Sequence, residues 1–181
     1  MKAMLQDVSK AVVAIGRIDA VPTLLAVLRE ITGMRFAAVA RVTETVWTVC
    51  AVQDGLQLGI EVGAPFVLRT NLAFQSQSTR APIIVEQAST DPRYRTDAGS
   101  KVYSVESFIS VPIFLPNARY FGNLWAFDPR PMSVSGPHVV SMFTRFAAST
   151  RAAISCSGSL SIRTCCCLSP GSKPTRSGCP R

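Results

Sequence analysis

The sequence has few acidic residues and a single histidine. It contains 11 Asp and Glu against 19 Lys and Arg. A Ser/His/Asp triad or a Cys/His pair would therefore have to use His138. We expect His138 to lie in the first turn of a helix, where the helix dipole disfavours imidazolium. We therefore predict no catalytic residues of these types and no enzymatic activity.

Long apolar runs are also missing. A membrane helix needs about 20 predominantly apolar residues, whereas the longest runs here, residues 11–15 and 36–40, are short and flanked by charge. Asp7 interrupts any signal-peptide core. Since 48% of the residues are hydrophobic and 17% are charged, the chain can still bury a core. The sequence predicts a soluble, cytoplasmic protein with no membrane partner.

Cysteine is scarce in the body of the chain and concentrated at its end. Residues 156–181 hold five of the six cysteines and four basic residues, with no acidic residue. They lack the ligand spacing typical of zinc sites, so no metal is expected. Four dispersed charges are weak support for nucleic-acid binding. We interpret this segment as a disordered, low-complexity tail after a domain over residues 1–155; a frame-shifted or truncated end is a further hypothesis.

The body alternates between helical and extended patterns. Apolar spacing predicts helices over residues 3–16, between Asp19 and Gly33, and from Pro137 onward. Runs of β-branched and aromatic residues predict strands, and residues 69–79 predict a short helix. The strands are expected over residues 35–42, 45–52, 83–85, 107–114 and 120–128. A long polar connection covers residues 86–106. Helices around an antiparallel sheet indicate the α+β class.

Three segments together resemble a known family. They read Asp-Pro-Arg-Tyr at residues 91–94, Ser-Phe-Ile-Ser-Val-Pro at 107–112, and Phe-Gly-Asn-Leu-Trp-Ala-Phe-Asp-Pro at 121–129. The set resembles a GAF domain over about residues 17–155. The similarity is to the bacterial sensor-type subgroup whose last strand reads Gly-Thr-Leu-Cys-Ala-Ile-Asp-Pro. Asn123 and Trp125 depart from that pattern.

This resemblance implies a fold and a function. The GAF-like, PAS-related fold would have an antiparallel sheet of five or six strands. The first, second and last helices would cover one face, and the short helix and long loop the other, with a small-molecule pocket between. Such domains serve as signalling inputs, commonly at the N-terminus of histidine kinases in two-component systems. The implied partners are an unknown small molecule and a second copy, joined through the terminal helices.

The specialised chemistries of the family are not supported by the residues. Bilin-binding members use a pocket cysteine beside a histidine, and cyclic-nucleotide members use an Asn-Lys and Asp-Glu signature; neither occurs here. The cofactor is therefore unknown. Reductases of free methionine sulfoxide use several pocket cysteines, whereas the body has only Cys50. We interpret Cys50 as a small core residue and keep the reductase as an alternative.

The candidate ligand site lies on one face of the last two strands. If residues 116–119 form a four-residue turn, Ser110 lies opposite Trp125, and Pro112 opposite Asn123. Mixed aromatic and small polar groups then share one face, predicted to be concave, while Ile109, Val111, Leu124 and Ala126 form an apolar face for helices. The candidate ligand-binding residues are Asn71, Phe74, Tyr103, Phe108, Ser110, Asn123 and Trp125. Equally, these aromatics could be plain core, leaving a structural dimerisation domain with a filled pocket.

Overall fold

Helices form where apolar residues repeat every three or four positions. The computed structural model describes residues 2–43, 46–66, 78–95 and 103–157. In it, α1 spans Lys2–Gly16, α2 spans Ala20–Thr32 and α3 spans Pro137–Ser157. Gly33 ends α2 with a left-handed φ of 72°, and its N–H donates to the carbonyl of Arg29. The three predicted terminal helices are confirmed, and α3 runs two residues past the predicted domain end.

Six strands form one antiparallel sheet. They are β1 Phe36–Val42, β2 Trp47–Asp54, β3 Pro65–Phe66, β4 Ile83–Val85, β5 Ser107–Phe114 and β6 Tyr120–Asp128. Their order across the sheet is β3-β2-β1-β6-β5-β4. The predicted bounds of β4, β5 and β6 are confirmed. The two-residue β3, which pairs with β2, was not predicted.

The central strands β1 and β6 approach each other closely at Gly122. A Cβ placed on Gly122 would lie 1.9 Å from the carbonyl oxygen of Ala40 in β1. No side chain fits at that distance, so the glycine is what allows the two strands to pair here. Pairing at this point then continues along β1 from Arg41 to Phe36.

The turn between β5 and β6 is longer than predicted. The connection covers residues 115–119, where the N–H of Leu115 donates to the carbonyl of Arg119. Phe114 pairs with Tyr120 and Ile113 with Gly122, so Phe121 is an extra residue in β6. This bulge compensates for the longer turn. The predicted pairing of Ser110 with Trp125, and of Pro112 with Asn123, is therefore correct.

The sheet buries both of its faces. The helix face carries Ile109, Val111, Leu124 and Ala126, which pack with buried residues of α1, α2 and α3 such as Ile15. The opposite side has a second, more aromatic core with contributions from β1, β2, β4, β5, β6 and the loop after β4. The α+β fold, with the terminal helices on one face, is confirmed. Of the predicted helix 69–79 only residues 78 and 79 are described, and they are helical.

No single helix in the described ranges is long and apolar enough to cross a membrane. The segments Gln6–Gly16 and Ala20–Thr32 pass such a test only as a pair, and they are bent by 77° relative to each other.

A buried carboxylate joins the ends of the central strands. The side chain of Asp128 is fully buried at the end of β6. It accepts hydrogen bonds from the Nε and Nη2 of Arg35, just before β1, at 2.9 and 3.0 Å. It also accepts from the N–H and Nε of Arg130, both at 2.9 Å. Burial alone would raise the pKa of Asp128, but these bonds outweigh it and hold the pKa well below its usual value.

We predict that the Asp128→Asn variant is less stable than the wild type at neutral pH. Its free energy of unfolding should also fall less steeply as the pH is lowered, because the titrating carboxyl is gone. The folded pKa of Asp128 lies below the unfolded value of about 3.9, so its contribution is complete above about pH 5 and disappears as the pH falls through the folded pKa. The loss at pH 7 should be about 1–3 kcal/mol. Urea unfolding between pH 7 and pH 3.5 should show the difference in stability between wild type and variant beginning to narrow below about pH 5.

The matched control is Asp19→Asn, because Asp19 is exposed and its side chain makes no capping hydrogen bond. This variant should follow the wild-type curve. Parallel curves for wild type and Asp128→Asn would contradict the role given to Asp128.

Candidate functional site

The predicted site residues of β5 and β6 lie together on one face of the sheet. Phe108, Ser110, Asn123 and Trp125 alternate with the residues of the helix face, and all four are buried. We call this side of the sheet the aromatic face. It is the side away from α1, α2 and α3.

Trp125 lies at the centre of a group of rings on the aromatic face. Its ring stacks on Phe127 with centroids 5.5 Å apart, and lies 5.2 Å from Phe36 of β1. Trp47 of β2 meets it edge-on at 5.7 Å. Contacts on several sides fix the indole, so much of this face is packed in the manner of a core.

The loop after β4 contributes further rings to the aromatic face. Tyr94, from the Asp-Pro-Arg-Tyr segment, is buried and meets Phe108 edge-on at 5.5 Å. The predicted site residue Tyr103 lies 6.3 Å from Phe127. Tyr103 thus approaches the face from the loop. Tyr94 was missed as a member of the site, although its motif was recognised.

Ser110 places a buried hydroxyl among the rings of this face. It is 4% exposed, and its hydroxyl oxygen has no hydrogen-bond partner among the described residues. Its cross-strand neighbours are Ile83 of β4 and Trp125 of β6, both mainly apolar. A buried hydroxyl without a partner costs roughly 1–3 kcal/mol, so it requires an explanation. Ser110 is where a ligand could supply the missing hydrogen bond.

Asn123 is held by a tyrosine at the end of its own strand. The hydroxyl of Tyr120 donates to the Oδ1 of Asn123 at 2.9 Å. Burial raises the pKa of the Tyr120 phenol, against opposing effects of Arg41 and Asn123, so it stays a neutral donor. The bulge at Phe121 places Tyr120 and Asn123 three positions apart on the same side. In a regular strand residues three positions apart point to opposite faces, so the sequence does not predict this contact.

Asn71 and Phe74, the two candidates from the predicted short helix, lie outside the described residues. The segments 67–77 and 96–102 are not described either. The prediction that this face is concave, and that Asn71 and Phe74 help to close it, therefore stays a prediction.

Cys50 faces away from the candidate site. Register shifts between Val39 and Ala40 of β1, so Cys50 is the extra residue of a bulge in β2, and it is buried in the core on the helix side. Burial raises the pKa of its thiol to about 11, with partial opposition from Arg41. A thiol with that pKa is almost entirely protonated at neutral pH, which makes it a poor nucleophile.

The remaining titratable groups form no recognisable catalytic or metal centre in the parts of the chain that are described. His138 is exposed in the first turn of α3. Within those ranges no three His, Cys, Asp or Glu side chains lie close enough to hold a metal ion.

A groove lies on the helix side of the molecule. It has a volume of about 840 Å³ and is bordered by α1, the end of α3 and the connection between β5 and β6. None of the four residues of the helix face named above lines it. Neither does Ser110 or Trp125, so the groove is separate from the aromatic face. No pattern in the sequence indicates this groove.

Comparison with known proteins identifies the fold. The family model described as "GAF domain" matches residues 17–154. No curated protein matches the sequence at a significant level. A similar solved structure is the GAF domain of a phosphoenolpyruvate-protein phosphotransferase from Acinetobacter. Its TM-score is 0.61 at 16% identity, over 86% of this chain and 95% of that chain.

Two further structures show the range of proteins with this fold. The free methionine-R-sulfoxide reductase of Neisseria meningitidis, solved with its substrate, has a TM-score of 0.57 at 14% identity, covering 86% of this chain and 91% of its own. The GAF-B domain of DevS from Mycobacterium smegmatis has a TM-score of 0.57 at 16% identity, covering 76% and 92%. At these identities the likeness concerns the fold alone.

We predict opposite effects for two serine substitutions in β5. Ser110→Ala removes a hydroxyl without a partner, so the free energy of unfolding should stay the same or rise by up to about 1 kcal/mol. Ser107→Ala removes a hydroxyl that is equally buried but donates to the carbonyl of Arg130 at 2.8 Å. That loss should cost about 1 kcal/mol. Urea unfolding of both variants measures the difference. Equal destabilisation would mean that Ser110 has a partner in the folded protein.

Proposed function

This chain belongs to the GAF domain family, and we propose that it is a non-catalytic, small-molecule-sensing input module of a bacterial signal-transduction protein, such as a sensor histidine kinase of a two-component system. The observation that carries the proposal is the buried Ser110 hydroxyl on the aromatic face, which has no hydrogen-bond partner among the described residues. Small-molecule sites are mostly apolar with a few placed polar groups, and this face has that composition.

The chemistry of the face limits the class of ligand. Aromatic side chains around Ser110 favour a flat or largely apolar molecule. A hydroxyl can both donate and accept, so the ligand needs one polar group that reaches Ser110. We therefore propose an uncharged or weakly polar aromatic metabolite.

A chain of polar contacts offers a route from this face to the first helix. Asn123 accepts a hydrogen bond from the hydroxyl of Tyr120. The Nη1 of Arg41 donates to the backbone carbonyl of Tyr120, and also to those of Val42 and Phe121. The Nη2 of Arg41 in turn donates to Asp7 of α1 at 2.8 Å. A ligand that shifts Asn123 would thus act on the strand end that Arg41 binds. We propose that this route transmits the signal to α1.

Two other functions are supported less well. A structural domain with a filled pocket is favoured by the dense ring contacts of Trp125. A methionine sulfoxide reductase is favoured by the similar fold of a solved reductase. Against it, Cys50 lies in the helix-side core, and the pKa of its thiol is raised. A ligand in a sensor would satisfy the buried Ser110 hydroxyl, whereas a filled pocket does not explain why a hydroxyl is buried there.

A thermal-shift screen tests the sensor. A ligand that binds only the native state raises its melting temperature, and 100-fold excess over Kd corresponds to about 2.7 kcal/mol. We expect aromatic metabolites to stabilise the wild type and to lose about fivefold in affinity with Ser110→Ala, since one hydrogen bond is worth about 1 kcal/mol. Ser133→Ala is the matched control, because that serine is exposed and remote from the face.

Two results would contradict the sensor. Hits that bind Ser110→Ala as well as wild type would place the site elsewhere, and a screen without any hit would favour the filled pocket. Turnover of free methionine sulfoxide with a thiol reductant, abolished by Cys50→Ser, would instead establish the reductase.

We also propose a homodimer through the terminal helices. What supports it is that α1 and α3 are adjacent and that Val13 of α1 is 52% exposed. Within the described side chains these two helices carry Lys10, Arg145 and Arg151 against the single acidic residue Asp7. Like charges oppose association, and salt screens them.

We expect the dimer to be favoured by raising the ionic strength, which light scattering at several protein concentrations can measure. Val13→Asp should dissociate the dimer. Thr144→Asp adds the same charge at an exposed position on α3 and is the control for the effect of charge alone. A strict monomer at high concentration and high salt would contradict the dimer.

A further inference from the structure

The groove on the helix side is large enough for a small molecule. Its volume of about 840 Å³ falls within the range of about 300–1,000 Å³ that is usual for small-molecule sites. Apolar side chains from three elements line it, including Val13 of α1, Leu115 of the β5–β6 connection and Ile154 of α3. Among the side chains described on α1 and α3, Val13 is the most solvent-exposed of the large apolar residues.

The groove is strongly basic. Four of its lining residues are cationic, namely Lys10, Arg17, Arg41 and Arg119, and one is anionic, Asp7, which gives a net charge of +3. Arg41 and Asp7 neutralise each other in an ion pair of 2.8 Å at the floor, where the Arg41 side chain is only 12% exposed. The other three cations form no ion pair with any described residue. An anion would therefore be favoured at the rim.

We propose that this groove binds a monomeric amphipathic carboxylate, of which a medium-chain fatty acid is the simplest example. The hydrocarbon chain would lie along Val13 and Leu115, which removes their apolar surface from water. The carboxylate would face Lys10, Arg17 or Arg119. The site lies on the opposite side of the sheet from Ser110, so it does not depend on the aromatic-face ligand.

Charge complementarity separates this occupant from the alternatives within the same chain. A second copy packed symmetrically through Val13, as in the dimer proposed for high ionic strength, would bring the same net charge of +3 against the groove. Residues 158–181 carry four basic residues and no acidic one, so they too would be repelled. Both would need the apolar contacts to outweigh that repulsion, whereas an anionic amphiphile gains from apolar and charged contacts together.

The test is a calorimetric titration of the full chain with sodium decanoate below its micelle concentration, at low ionic strength. We expect saturable binding of one decanoate, and none of decyltrimethylammonium, which has the same chain and the opposite charge. The double variant Lys10→Glu, Arg17→Glu should bind at least about tenfold more weakly, because two attractive charges become repulsive. Ser110→Ala should bind decanoate as the wild type does.

The matched control is Arg145→Glu, an exposed charge reversal on α3 outside the groove. Its affinity should stay within about twofold of wild type, because exposed charges at a distance are screened. Circular dichroism establishes that each variant is folded.

Three results would overturn the proposal. Equal binding of decanoate and decyltrimethylammonium would mean unspecific apolar adsorption. Sedimentation with phosphatidylglycerol vesicles, without saturable binding of decanoate, would make the groove a membrane-facing surface. A silent titration together with a dimer that Val13→Asp dissociates would make it a subunit interface.

Discussion

The carboxylate of Asp128 links the start of β1 and the connection to α3 to the end of β6, beside the point where β5 begins. It binds Arg35 before β1 and Arg130 in the connection to α3, while its own backbone carbonyl accepts from the N–H of Glu106 before β5. Ser107 adds a bond to the carbonyl of Arg130. The ends of the central strands and the start of the path to α3 are thereby fixed at one corner. Because the side chain of Asp128 is fully buried, the cluster depends on all of these donors being present.

From this corner, alternation along β5 and β6 distributes the side chains between two cores. This part could be predicted from the sequence, because side chains alternate between the two faces of a strand. Once the register is known, the face of every side chain follows. The register of Ser110 with Trp125 was correct even though the turn was predicted one residue too short, because the bulge at Phe121 compensates. The Asp128 cluster could not be predicted: Arg35 lies 93 positions away, and no local pattern connects them.

The features missed by sequence reasoning share a physical cause. The strand β3 has two residues and exists only because β2 offers an edge for pairing. The bulge that turns Cys50 towards the helix side depends on the pairing of β1 with β2, and the groove depends on how α1 and α3 meet the β5–β6 connection. Each arises from packing between distant segments. The aromatic face was predictable in membership, but its filling by Trp47, Phe36 and Tyr94 was not, because those rings come from other elements.

Arg41 connects the two sides of the sheet. It lies on the helix side of β1, pairs with Asp7, and donates to the carbonyl groups of Tyr120 and Phe121. The hydroxyl of Tyr120 donates to Asn123 on the aromatic face, and Tyr120 also borders the groove. A ligand on either side would therefore act on the same strand end. If both sites are occupied in the folded protein, their affinities must be coupled by equal factors in both directions, because linkage between two sites is reciprocal. The bulge at Phe121 is where that coupling would pass, since Arg41 and Tyr120 meet there.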